Sequence, residues 1–327
     1  MTRVLVTGAG GAAGVAVIRS LVAHGADVFA ADMDGWAAGL YLVPAERRRL
    51  VQPGRSPEFV DGVLSIVRED DIDVVFSTVD VELEPLAARR AELAPTVLAA
   101  PSLSTLATCL DKLTLAEACA GSARVPTTMI LDATGKAADW TFPVIIKPRR
   151  GAGSRGVHLV ADRAGLEAMP DDEAIIIQAN LPGEEYSVDV IASGGTLVAA
   201  VPRTRARVDS GVSIAGQTVR DPELQRQAGL VAAAIGLDGV ANVQLRRDVD
   251  GLPALLEVNP RFPGALPLTI AAGVDLPVLA LDLALGEELP SGLDFREIAT
   301  VRFLEDLILD PAEVLVSEHA AHGPEDE

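Results

Sequence analysis

Residues 142–157, FPVIIKPRRGAGSRGV, constrain this chain more than any other stretch. The apolar run Phe142-Pro143-Val144-Ile145-Ile146 is bounded by punctuating residues and reads as a buried strand. Lys147 stands at its end, and Gly151, Gly153 and Gly156 follow within nine residues, interleaved with Ser154 and Arg155. Glycines so spaced permit tight turns and let backbone N–H groups approach an anion, because no Cβ intervenes. A lysine beside such a loop supplies a point charge for a phosphate. Residues 157–160 (VHLV) resume a strand, so the segment reads as a β-hairpin flap. It is not a Walker A loop, since no Gly-Lys-Ser/Thr follows the glycines and no helical pattern begins there. Taken alone, a Gly-rich hairpin with a solvated lysine and solvated Arg149, Arg150 and Arg155 accounts for it equally.

A length of 327 residues suggests about two domains, and 49% hydrophobic content is ample for packed cores. A formal charge of −20 argues against nucleic acid as a partner, because phosphate backbones select basic surfaces. The two cysteines, Cys109 and Cys119, form neither a disulfide framework nor a metal cluster and read as reduced thiols. The opening MTRVLVTGAGG lacks the pattern of a signal peptide, and no uncharged apolar run reaches membrane-spanning length. The expectation is a soluble cytoplasmic protein with no membrane partner.

Residues 3–7 read as a buried strand, followed by Gly8-Ala9-Gly10-Gly11-Ala12-Ala13-Gly14, a helix through His24 and a second strand, 27–31, ending in Asp32. Further units alternate: strands near 49–52, 73–77 and 96–99, with helices over 57–69 and 81–93. Such alternation predicts a parallel sheet covered on both faces, a Rossmann-like unit over residues 1–101. One reading of the glycine turn is a dinucleotide site with Asp32 on the ribose; the other is glycines that let the helix pack close to the strand. A short-chain dehydrogenase would also need Tyr and Lys four apart, and Tyr41 and Tyr186 are followed by Ala45 and Val190.

A second word, QANLPGEEYSVDV over 178–190, runs a strand into a Pro-Gly turn and out again. Arg203, Arg205 and Arg207 then alternate before a Gly/Ser-containing loop to Gln217; they read either as an anion contact or as solvated edge-strand charges. In the third word, Gln244 lies on one strand and Glu257-Val258-Asn259-Pro260-Arg261 ends the next, with hairpin-turn chemistry at Asp248-Val249-Asp250-Gly251 between them. Residues two apart share a face, so Glu257 and Asn259 point together and Gln244 meets them across the hairpin. Oxygen ligands with few carboxylates suit Mg²⁺ that keeps waters and nucleotide phosphates in its shell, with Mn²⁺ as an alternative. Two apolar helices between 265 and 287 read as core, 298–309 as an edge strand with a short helix, and 313–327 as an acidic tail.

These words in this order resemble the ATP-grasp superfamily, most closely the branch near the carbamoyl-phosphate synthetase large subunit. The resemblance implies an α/β protein: the Rossmann-like domain, then a two-subdomain α+β ATP-grasp domain split as 102–181 (small subdomain with the flap) and 182–312 (subdomain with the metal site). It implies that ATP is held by Lys112, Lys147, the flap (Gly151, Gly153, Ser154, Arg155, Gly156), Gln178, main-chain atoms of Ala179 and Leu181 at the adenine edge, and Glu185 on the ribose. Gln244, Glu257 and Asn259 would hold the metal, and Arg261 with Asn259 would serve the transfer. Many relatives have Glu where this chain has Ala179. Arg203, Arg207, Gly10 and Gly11 are the expected substrate contacts. The implied reaction is carboxylate–amine (or thiol) ligation through an acyl phosphate. A carboxyphosphate- or carbamate-forming enzyme is the alternative, and a nicotinamide-dependent reductase a remoter one. The implied partners are a small-molecule carboxylate and amine, with a homodimer as the assembly to look for.

Overall fold

The structure, a computed structural model, describes residues 1–316 apart from 152, 154, 210 and 211. Ser154 and the end of the expected acidic tail, 317–327, therefore lie outside the described residues.

The amino-terminal third alternates β1 (Arg3–Thr7), α1 (Ala12–His24), β2 (Asp27–Asp32), β3 (Arg48–Leu50), α2 (Phe59–Glu69), β4 (Val74–Ser77), α3 (Asp80–Ala88), α4 (Arg90–Leu93) and β5 (Val97–Leu98). Its five strands form one parallel sheet in the order β3-β2-β1-β4-β5. Alternate residues feed two cores: Val4 and Val6 join Ala16 and Val17 of α1, whereas Leu5 joins Phe29, Val63 and Leu86 on the other face. Burial on both faces is why these strands read as continuous apolar runs. The glycine turn after β1 serves close packing. A Cβ on Gly14 would stand 2.2 Å from the Gly8 carbonyl oxygen, and one on Gly10 would stand 2.8 Å from Ala37. The Asp32 carboxylate accepts from the Gly10 amide at 2.8 Å and from the Asp34 amide at 3.0 Å, so it is engaged within the loop it was expected to face.

Beneath this turn Glu82, on α3, is 6% exposed and accepts from the hydroxyls of Thr7 and Ser77. Burial pushes its carboxyl up to about 7 against those hydrogen bonds, which lower it. Unfolded, the group ionises near 4.5, so between pH 4.5 and 7 the folded chain binds more protons and stability falls as pH rises. The penalty is absent below pH 4.5 and complete above pH 7. Glu82→Gln should therefore gain on the wild type by about 3 kcal/mol between pH 4.5 and 8. Urea midpoints at four pH values test this, and a difference that does not change with pH would place the proton elsewhere.

The middle of the chain holds α5 (Leu103–Cys109), α6 (Lys112–Cys119), β6 (Thr128–Leu131), α7 (Ala133–Ala137), β7 (Val144–Pro148), β8 (His158–Val160), α8 (Arg163–Glu167) and β9 (Asp172–Ala179). Ser102 caps α5, and Asp111 caps α6 by accepting from the Leu113 and Thr114 amides. The four strands form an antiparallel sheet, β6-β9-β7-β8, over a core of Trp140, Val144, Ile146, Leu166 and Ile177.

The remainder runs through β10 (Glu185–Ser193), β11 (Thr196–Thr204), β12 (Arg207–Asp209), β13 (Val212–Gln217), α9 (Pro222–Ala234), β14 (Gly239–Arg247), β15 (Pro253–Asn259), α10 (Leu266–Ala272), α11 (Leu276–Ala284) and β16 (Ala299–Val301). One antiparallel sheet has the order β11-β10-β14-β15, and a smaller one β12-β13-β16. The sequence reads 208–217 as a loop; the structure makes a hairpin of its ends, β13 pairing with β16 over 80 residues away. One face of the larger sheet (Val188, Val190, Val243, Leu245) packs on α9. On the other face Ile191, Ala199, Val201 and Val240 join α10, α11 and α1 in one cluster, so the amino-terminal and carboxy-terminal sheets share a core. The segment after β16 returns to the first sheet, where the Leu315 amide donates to the Tyr41 hydroxyl. Among the described residues no single helix is long and apolar enough to cross a membrane; α10 and α11 would qualify only as a pair, bent by 89°.

Candidate active site

A cleft opens between the two four-stranded antiparallel sheets, lined by Lys112, Lys147, Gly151, Gly153, Arg155, Gln178, Ala179, Leu181, Glu185, Gln244 and Glu257. Residues predicted from five separate parts of the chain thus meet in one place. Strand β7 sends Ile145 and Lys147 to the same face, as a period of two requires. Gln178 sits opposite Ile145 on β9, where its amide donates to the Thr128 hydroxyl at 2.9 Å. Lys147 is 7% exposed. Burial pulls its ammonium down to about 8, with Lys112 adding to the fall and Glu257 and Glu185 opposing it.

Lys112 opens α6, and its Nζ donates to the Gly151 carbonyl at 2.8 Å and stands 3.9 Å from Glu257. The Asp111 cap fixes the turn it stands on, and Arg149 donates to the Asp111 carboxylate at 2.8 Å, tying the base of the flap to that helix start. Gly151, Gly153 and Gly156 all have positive φ, the conformation that glycine adopts without a Cβ penalty. Gly156 packs on Pro148 and lies outside the cleft lining.

At the other wall the chain turns from β9 to β10. The Ala179 amide donates to the Thr127 carbonyl, whereas the Leu181 backbone makes no hydrogen bond with the described residues. That edge, flanked by Ile145, Val157, Leu181 and Leu256, offers a flat ring both apolar cover and main-chain partners. Glu185 pairs with Arg205 at 3.1 Å; Arg205, the middle one of the three alternating arginines, lines the cleft, as does Arg246, which the sequence did not single out. Arg203 is a correction to the expected substrate contacts: it is 3% exposed and bound to Asp189, not turned into the cleft. Arg207 stands on β12, and Gly10 and Gly11 lie in the packed turn after β1; none of the three lines the cleft.

Strands β14 and β15 pair in the register expected, with Gln244 opposite Glu257 and Asn242 opposite Asn259. Between Gln244 and Leu245 the register shifts, because Leu256 is an extra residue on β15. This bulge breaks alternation, so Leu256 and Glu257 both reach the cleft while Leu255 and Val258 stay buried. The Asn259 amide donates to Glu257 at 3.3 Å. One carboxylate, two amide side chains and open space for water fit Mg²⁺. Among the described residues no cluster of three or more His, Cys, Asp or Glu could hold a metal by itself. Arg261, just beyond β15, forms a two-pronged pair with Asp80 at the start of α3, both bonds 2.8 Å.

The fold has counterparts among known proteins. Residues 171–307 match the model of a family described as "ATP-grasp in the biosynthetic pathway with Ter operon". The arginine-specific carbamoyl phosphate synthase large chain of Geobacillus stearothermophilus is 32% identical over 173 residues, which is 49% of this chain and 16% of that protein. Among solved structures, the biotin carboxylase of Campylobacter jejuni, in its β-γ-ATP complex, superposes with a TM-score of 0.73 at 18% identity, covering 89% of this chain and 72% of the other. The N5-carboxyaminoimidazole synthetase of Staphylococcus aureus, complexed with ADP, gives 0.69 at 16% identity over 90% and 80%. The L-amino acid ligase of Bacillus licheniformis gives 0.65 at 18% identity over 87% and 74%. Residues 171–307 thus carry an ATP-grasp family match, and the chain as a whole shares the fold of these carboxylase, synthetase and ligase structures.

Proposed function

We propose that this chain uses ATP to activate a small carboxylate as an acyl phosphate and joins the acyl group to an amine or thiol. The observation that carries the reading is the convergence of Lys112, Lys147, Glu185, Gln244 and Glu257 on one cleft. A carboxylate oxygen attacks the γ-phosphorus, the bond to the bridging oxygen breaks, and ADP leaves. The nucleophile then adds to the acyl carbon, phosphate departs and the amine or thiol proton is lost. Lys112 and Lys147 hold the phosphates by charge, and the glycine N–H groups of the flap add donors. Ala179 and Leu181 bound the adenine through main-chain atoms, and Glu185, exchanging Arg205 for the sugar, takes the ribose hydroxyls. Gln244, Glu257 and Asn259 would hold Mg²⁺, with Mn²⁺ as the alternative; bound there, it would spread the charge of the transferring phosphoryl group. Arg261 meets the oxyanion beside it.

The similarity to a carbamoyl phosphate synthase chain favours a second reading, in which bicarbonate is the acid and carboxyphosphate the intermediate. Screening ADP release against amino acids, organic acids and bicarbonate separates the two. The nicotinamide reading loses ground because Asp32 and the glycine turn are engaged with each other.

A bound ligand raises apparent stability and a non-binder does not. ATP with Mg²⁺ should therefore raise the melting temperature, and NAD(H) or NADP(H) should leave it unchanged. Stabilisation by a nicotinamide nucleotide with none by ATP would reverse the reading. Size-exclusion chromatography with light scattering tests for the homodimer.

A further inference from the structure

Arg261 stands at the end of the metal strand, yet its partner comes from the amino-terminal sheet, 181 residues away in sequence. Its Nε and Nη2 donate to the two oxygens of Asp80, each at 2.8 Å, and Nη1 donates to the Phe262 carbonyl at 3.2 Å. A guanidinium has five N–H groups. Three are spent, and among the described residues one N–H remains on each of Nη1 and Nη2. A guanidinium with one N–H left on each Nη can take two oxygens of one oxyanion.

Asp80 is itself held in place. It begins α3 directly after Thr78 and Val79, and the Thr78 hydroxyl donates to the carbonyls of Thr7 (3.0 Å) and Gly8 (3.1 Å) at the end of β1. One turn along the same helix, Glu84 meets Arg150 at the base of the flap at 3.2 Å. Two of the three α3 carboxylates, Asp80 and Glu84, therefore face arginines that follow β15 and β7, four residues apart on one helix face, while Glu82 turns into the core.

We propose that Asp80 is a positioning residue: it fixes the plane of Arg261 so that the two remaining N–H groups receive the phosphoryl oxyanion, making the amino-terminal sheet part of the transfer site. The inference rests on the ATP-dependent reading above. The opposite expectation is equally definite. If Asp80 merely competes with an anion for Arg261, removing its negative charge will tighten anion binding.

The test uses the full chain and inorganic phosphate as the probe, titrated onto the protein saturated with ADP and Mg²⁺, with calorimetry for both ligands. Asp80→Ala should weaken phosphate binding at least tenfold while ADP–Mg²⁺ affinity stays within twofold, which also shows that the variant is folded. Asp80→Glu, which keeps the charge on a longer arm, should recover part of the loss. In an Arg261→Ala background, Asp80→Ala should have no further effect, because Asp80 acts only through that guanidinium. Phosphate binding by Asp80→Ala that equals or exceeds wild type overturns the proposal, as does wild-type protein that binds ADP–Mg²⁺ but no phosphate. Wild-type protein that fails to bind ADP–Mg²⁺ at all overturns the ATP-dependent reading itself, and the proposal with it.

Discussion

Glu257→Gln should lower ADP formation by on the order of 10²–10³-fold, equivalent to about 3–4 kcal/mol in the transition state, with the fold intact. Glu257 is the carboxylate of the β14–β15 pair, opposite Gln244 and beside Asn259. Glutamine keeps its volume and an oxygen to accept from Asn259 but removes the negative charge that Lys112 faces and that the proposed divalent cation would face. The side chain is 25% exposed and its ion pair with Lys112 is long, at 3.9 Å, so stability rests little on it. The loss should fall on turnover, and the melting temperature without nucleotide should move by no more than a degree or two. Turnover near the wild-type value would mean that the metal is held elsewhere. Loss of activity together with a collapsed melting temperature would make Glu257 a structural residue and leave the chemistry unassigned.

What could be read from the chain alone was whatever depended on local pattern. The apolar run ending at Lys147, the three glycines and the Asp-Val-Asp-Gly turn each specify their own backbone, and the turn in turn sets which residues of β14 and β15 can face each other. The parallel sheet followed from alternation over its first hundred residues. Side-chain partners set by tertiary contact were not legible. The bulge at Leu256 breaks the period of two, and nothing in the surrounding residues announces it. Arg203, Arg205 and Arg207 look equivalent in sequence, yet β11 ends at Thr204. Arg203 is thereby carried into the core, Arg205 into the cleft and Arg207 onto a separate hairpin. Asp80 could not be linked to Arg261 by any local rule, because the pair exists only once two sheets have come together.

The burial of Arg203 leads to the largest stability effect expected. Asp189 is fully buried on β10 and accepts from Arg203 Nε at 3.0 Å, Asn242 Nδ2 at 2.7 Å and the Thr269 hydroxyl of α10 at 2.5 Å. The Arg203 side chain is 4% exposed. Removing one partner of such a pair leaves a charge in the interior without compensation, a loss of about 3–5 kcal/mol. Asp189→Ala should cost that much in urea unfolding. Replacing both partners by apolar side chains removes the stranded charge, so Asp189→Ala with Arg203→Met should regain more than half of the loss. Asn242 also sits opposite Asn259, so loosening Asp189 should weaken the β14–β15 pairing as well as the core. Had Arg203 been the substrate contact its position in the chain suggested, Arg203→Met would impair anion binding and leave stability unchanged. A double variant no more stable than Asp189→Ala alone would show that the pair is not what holds this row of the sheet together.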